Sequence, residues 1–141
     1  MNQDMTRYVN GLIMRQAALV SYRVSANAPS TEVDLYAMAS GSLVIWSGES
    51  DNTIFDDATV NWGFRAIHDA LHLATGLGFS PDHEVELARI QASQYDSTLM
   101  QELVFCEVGM QAAYFKKNGV FVPDQKAFTM AHLDKMGLLR K

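Results

Sequence analysis

Apolar positions recur at helical spacing over the start of the chain. Val9, Leu12, Ile13 and Val20 share a stripe with Gln16 and predict a helix from residue 5 to about 25. Asn27-Ala28-Pro29-Ser30 ends it, because proline cannot continue a helix and turns the preceding residue away from helical dihedrals. The period then changes. Val33, Leu35, Ala37 and Ala39 alternate with other residues, Leu43-Val44-Ile45-Trp46 is a second β-rich run, and Ser40-Gly41-Ser42 between them is a turn signal. These features predict a small antiparallel β-hairpin within residues 33–55, with Asn52-Thr53-Ile54-Phe55 as a candidate third strand. A short helix over 31–39 is the competing reading.

Helical signals dominate after residue 56. Asp57 caps a predicted helix running to about Thr75, where Gly76 and Gly78 stop it. Ser80-Pro81-Asp82 joins a capping hydroxyl, a first-turn proline and an acid at the positive end of the helix dipole, and starts a helix to about Tyr95. Asp96 or Ser97 opens another, ending at Asn118-Gly119. Asp124 opens the last, ending near Gly137. The expectation is a mainly α protein, with about five helices in one bundle-like domain spanning residues 1–141 and the small hairpin beside them.

Composition agrees with a globular chain. Its 141 residues amount to about one domain, 48% are hydrophobic and 19% charged. The net charge of -5 gives no long-range attraction for nucleic acid. Lys116-Lys117 and the tail Lys135, Arg140 and Lys141 sit at expected helix ends, where cations complement the dipole. Cys106 lies in the apolar run Leu103-Val104-Phe105-Cys106 and is expected to be a small core residue. A single cysteine excludes an intramolecular disulfide. No signal peptide and no run of about 18 apolar residues is visible, so a cytoplasmic location without membrane partners is expected. The apolar N-terminal helix can pack within the chain or across a homodimer.

The chemistry concentrates in Phe64-Arg65-Ala66-Ile67-His68-Asp69-Ala70-Leu71-His72. Residues four apart stack on one helix face, so His68 and His72 can present two imidazoles to one ion. The stripe Phe64, Ile67, His68, Leu71, His72 and Thr75 points both histidines inward, where each ring nitrogen needs a partner. In the next helix His83, Glu86, Leu87, Ile90 and Gln94 share a stripe, so Glu86 is expected to face the core. The short connection at 76–80 makes these helices antiparallel neighbours. Glu107, within Leu103–Met110, is a third candidate carboxylate, since a charge among apolar neighbours is costly unless it is paired or metal-bound. The expected ligands are His68, His72 and Glu86, with Asp69 and Glu107 as base or supporting carboxylates. Zinc is the first choice of ion, with iron or manganese as alternatives.

Other readings are weaker. The spacing is similar to the H-E-x-x-H of zinc peptidases, but Asp69 replaces the glutamate and is one methylene shorter. The His68-Asp69 pair fits an HD phosphohydrolase, but no histidine precedes it to supply that pattern's first ligand. No G-x-S-x-G elbow or phosphate-cradling glycine loop is present. His83 reads as a surface or capping residue, and Trp46 and Trp62 as packing residues.

The run Val60-Asn61-Trp62-Gly63-Phe64-Arg65-Ala66-Ile67-His68-Asp69-Ala70-Leu71-His72, followed by Gly78-Phe79-Ser80, Glu86 and Gln91, resembles a group of small bacteriophage proteins sharing N-x-x-F-R-x-x-H-D-x-x-H, then F-S, a Glu and a Gln. The resemblance implies a phage origin, action in the host cytoplasm, and a functional core of His68, Asp69, His72, Glu86 and Gln91. It supplies no reaction. Two functions follow as expectations. The first is a metal-dependent hydrolase acting on a small-molecule or peptide substrate. The second is a phage accessory protein that binds a host factor, with the His/Glu cluster structural.

Overall fold

The computed structural model describes residues 1–28, 30–38 and 41–139. Pro29, Ala39, Ser40, Arg140 and Lys141 lie outside them, and with them the proline stop, part of the expected 40–42 turn and most of the basic tail. The described chain is mainly helical and divides into two compact units, Gln3–Gly76 and Leu77–Lys141, the second including Met1–Asn2.

The first unit holds α1 (Gln3–Ala17), β1 (Tyr22–Ser25), α2 (Glu32–Ala37), β2 (Leu43–Trp46) and α3 (Ala58–Thr75). The inward stripe of α1 is Val9, Ile13 and Ala17. This helix stops sooner than its periodicity predicts. Its last turn tightens, with the Leu19 and Val20 amides bonding the Gln16 and Ala17 carbonyls, and Tyr22-Arg23-Val24-Ser25 becomes extended. Branched and aromatic side chains lose rotamer freedom in a helix and fit a strand better.

The strands correct the hairpin expectation. β1 pairs with β2 in parallel, from Tyr22 opposite Leu43 to Ser25 opposite Trp46. Parallel strands need a crossover rather than a tight turn, and α2 lies in it. Thr31 caps α2 by accepting the Asp34 amide at 3.2 Å, which settles the 31–39 alternative in favour of helix over Glu32–Ala37. Residues 52–55 form turns, not a strand. There Thr53, Ile54 and Phe55 are buried, and Asn10 of α1 donates to the Phe55 carbonyl at 2.9 Å.

α3 packs on α1. Gly63 allows the close approach, because a Cβ there would lie 3.1 Å from that of Ala17. The expected boundaries of α3 hold. Asp57 accepts the Thr59 amide at 2.8 Å, and Gly76 ends the helix at φ 74°, a conformation open to glycine.

The second unit holds α4 (Pro81–Ala92), α5 (Thr98–Phe105), a π-helical turn (Cys106–Met110), α6 (Gln111–Asn118) and α7 (Gln125–Lys135). Ser80, Ser97 and Asp124 cap α4, α5 and α7 through side-chain oxygens, and Gly119 ends α6 at φ 72°. Leu87, Ala88, Met100, Leu103, Val104, Cys106 and Leu133 form its core. The π-turn inserts one extra residue into an otherwise continuous helix. Its Gly109 meets α4, where a Cβ would fall 2.9 Å from that of Ala88. No helix among the described residues is long and apolar enough to cross a membrane.

Candidate metal centre

The N-terminal half of α3 holds the loop that precedes it. Asn61 donates to Ser50 at 3.0 Å, Trp62 donates to the Ser47 carbonyl at 3.1 Å, and the Phe64 ring lies 5.3 Å from that of Phe55. Arg65 spans three carbonyls, donating to Trp46 and Gly48 at 2.6 Å and to Glu49 at 3.3 Å, while its guanidinium lies 5.4 Å from the Trp46 ring centre. Glu49 has a φ of 49°, a left-handed conformation that costs a non-glycine residue energy and that these bonds help to maintain. Burial lowers the Arg65 pKa, opposed by the charges of Glu49 and Asp69.

One turn beyond this anchor the two histidines meet. His72 is 1% exposed and His68 is half-buried. Their Nε2 atoms are 3.0 Å apart with the rings nearly perpendicular. Two imidazole nitrogens bound to one ion at about 2.0–2.1 Å lie about 2.9–3.4 Å apart for bond angles from roughly 90° to tetrahedral. The pair therefore needs little rearrangement to chelate. Without an ion, one Nε2–H donates to the other's lone pair, which fixes opposite tautomers. The backbone at His72 is also tied down, because its carbonyl accepts from the Tyr36 hydroxyl and the Gly76 amide, both at 2.9 Å. Asp69, the expected base, is half-buried one turn from Arg65.

The carboxylates sort differently from expectation. On α4 the buried positions are Leu87, Ala88, Gln91 and Ala92. Glu84 falls on that face and is half-buried, whereas Glu86 points the opposite way and is exposed. The inward orientation expected of Glu86 is therefore corrected. That expectation phased the helix on Ile90 and Gln94, and gave too little weight to Ala88, Gln91 and Ala92, whose small or polar side chains mark the buried stripe.

Glu107 belongs to a separate polar cluster in the second unit. Its two carboxyl oxygens accept from Thr129 of α7 at 2.6 Å and from Gln111 at 3.3 Å. The residue as a whole is half-buried, but its carboxyl is desolvated enough to push its pKa up to about 7, against the opposing effect of both hydrogen bonds. Cys106 is the expected core thiol, with burial raising its pKa to about 11. His83 takes a capping role, its Nδ1 accepting the Gly78 amide at 2.9 Å. His132 pairs with Glu102 at 2.8 Å. Tyr36 and Thr129 carried no signal in the sequence, since neither belongs to a motif and each acts on a residue remote in the chain.

No protein-family model matches the chain, and no curated protein or solved structure is similar enough to count as a match.

Proposed function

We propose that the chain is a metal-dependent hydrolase whose ion is held by the His68–His72 pair of α3. The observation that carries this reading is the convergence of two imidazole Nε2 atoms, 3.0 Å apart, on the buried side of α3. On α4 the carboxylate on the buried face is Glu84, and Glu86 is exposed. Imidazole ligands suit zinc or iron, and an added carboxylate would also suit manganese. When bound, such an ion would lower the pKa of a coordinated water to about 7. Asp69, next to the first ligand, serves as the proton acceptor or orients that histidine. Glu107 is left out of the ligand set, since it sits in the separate polar cluster with Thr129 and Gln111.

Elemental analysis of untagged protein tests this reading. Wild type is expected to carry near-stoichiometric metal. His68→Ala and His72→Ala lose it, and Glu86→Gln keeps it. No metal in wild type, after reconstitution with zinc, iron and manganese under reducing conditions, overturns the reading. The histidines are then a core hydrogen-bond pair, and capture of one stoichiometric host protein becomes the experiment to run.

A further inference from the structure

The second unit carries an ionisable cluster that the hydrolase reading does not use. α7 packs against α5 and the π-turn, and buries only Thr129 and Leu133. Two polar contacts join it to the long helix. Thr129 donates to Glu107 at 2.6 Å, and His132 meets Glu102 at 2.8 Å. In a regular α-helix, residues five apart diverge by about 140°. The wider π-turn narrows that angle, which lets Glu102 and Glu107 both reach α7, where Thr129 and His132 lie three apart on one face.

We propose that the Thr129–Glu107 contact is a proton-operated latch that holds α7 firmly at mildly acidic pH and loosens it as pH rises through neutrality.

The Glu107 carboxyl is desolvated and its pKa is pushed up to about 7, so ionisation in the docked state is penalised, while release of α7 lets water solvate the charge. Among the described residues the cation placed directly on α7 is the N-terminal ammonium of Met1, which donates to the Met130 sulfur at 3.1 Å, and no cation bonds the Glu107 carboxyl itself. On the long helix the titratable neighbours are Cys106, which is buried, and Glu102. α4 meets the turn at Ala88, with Glu84 one turn away and Glu86 and Arg89 exposed. On α6, Tyr114 lies edge-on to Phe128 of α7, and Lys116 and Lys117 are exposed. On α7, His132 is engaged with Glu102, Lys126 is half-buried, and Asp134 and Lys135 are exposed. An element with so few buried side chains sits at the low-stability end of a fold, where local opening is observable.

The sign follows from linkage. An acid whose docked-state pKa exceeds its open-state value favours docking below the open-state value, and that advantage is lost as pH rises to the docked one. With about 4.3 for an open glutamate and about 7 when docked, the opening constant of α7 rises about tenfold between pH 6 and pH 8, most of it below pH 7.

Amide hydrogen exchange on the intact chain, corrected for intrinsic rates, tests the latch at pH 6 and pH 8. α7 is expected to lose about tenfold protection, while α4 and α5 change little. Glu107→Gln is expected to flatten most of that dependence. Carbon NMR of the Glu107 carboxyl in wild type gives a second reading that does not depend on a variant folding, with a midpoint near 7. A midpoint below 5, or a loss of protection equal in all helices, overturns the proposal.

Discussion

At the scale of single residues, Arg65 does more than any other side chain to shape the ground on which the histidines stand. It bonds three carbonyls of residues 46–49 and lies over the Trp46 ring. A lysine carries the same charge but lacks the planar fork that spans several acceptors. Arg65→Lys is therefore expected to cost about 1–3 kcal/mol, in the range of hydrogen bonds made by charged groups. A denaturation midpoint unchanged by the variant would show that the loop is held by Asn61 and Trp62 alone. Gly48 makes a second case. A Cβ there would overlap the Trp46 indole. Gly48→Ala must displace that ring from beneath the guanidinium and is expected to cost about 1–3 kcal/mol, read as quenched or shifted tryptophan fluorescence and a lower Tm. These contacts also explain half of the motif that stands out in the sequence. Asn61, Phe64 and Arg65 secure the loop, and His68 and His72 form the pair, so one helix serves both ends.

At the scale of elements, most of the second half of the chain was legible. Capping is local chemistry, and Asp57, Ser80, Ser97 and Asp124 start their helices where a side-chain oxygen meets an amide two or three residues on. Non-local features were hidden. Tyr22–Ser25 looked like the end of a helix, because its strand partner is remote in the chain and pairs through a crossover. The π-turn left no periodic trace, since one inserted residue shifts the phase without changing which residues are apolar. Gly109 is the local mark of that turn. Gly109→Ala is expected to destabilise by about 1–3 kcal/mol, because its methyl would press on Ala88 and on the Phe105 ring, 3.1 Å away. Gly11 gives the contrast. It lies inside α1 with nothing within 4 Å of a new Cβ. Gly11→Ala is expected to stabilise by about 0.5–1 kcal/mol, the helix-propensity difference. Matched denaturant melts of the two variants separate packing from propensity, and equal effects would refute the assignment of Gly109 to a close contact.

At the scale of the whole molecule, the metal reading becomes a statement about stability. Any ion bound by the folded chain and not by the unfolded one stabilises it by about 2.7 kcal/mol at one hundred times its dissociation constant. For a chain of this size that corresponds to a rise of roughly 10 °C in Tm. The difficulty is that the chain carries 16 acidic residues and a net charge of -5, so a divalent cation also finds weak carboxylate sites on its surface. Ligand type separates the two effects. Calcium and magnesium prefer all-oxygen sites, whereas imidazole selects zinc, iron and related ions. Zinc, or iron(II) held under reducing conditions, is expected to raise Tm by about 10 °C in a way that EDTA reverses, while equal calcium or magnesium leaves it nearly unchanged. His72→Ala melts lower than wild type, because a side chain with 1% exposure leaves a cavity, and its Tm no longer responds to zinc. An equal response to zinc in wild type and variant would move the ion onto the acidic surface and remove the hydrolase reading. A response confined to wild type makes the His68–His72 pair the site and fixes which metal belongs in the assays that follow.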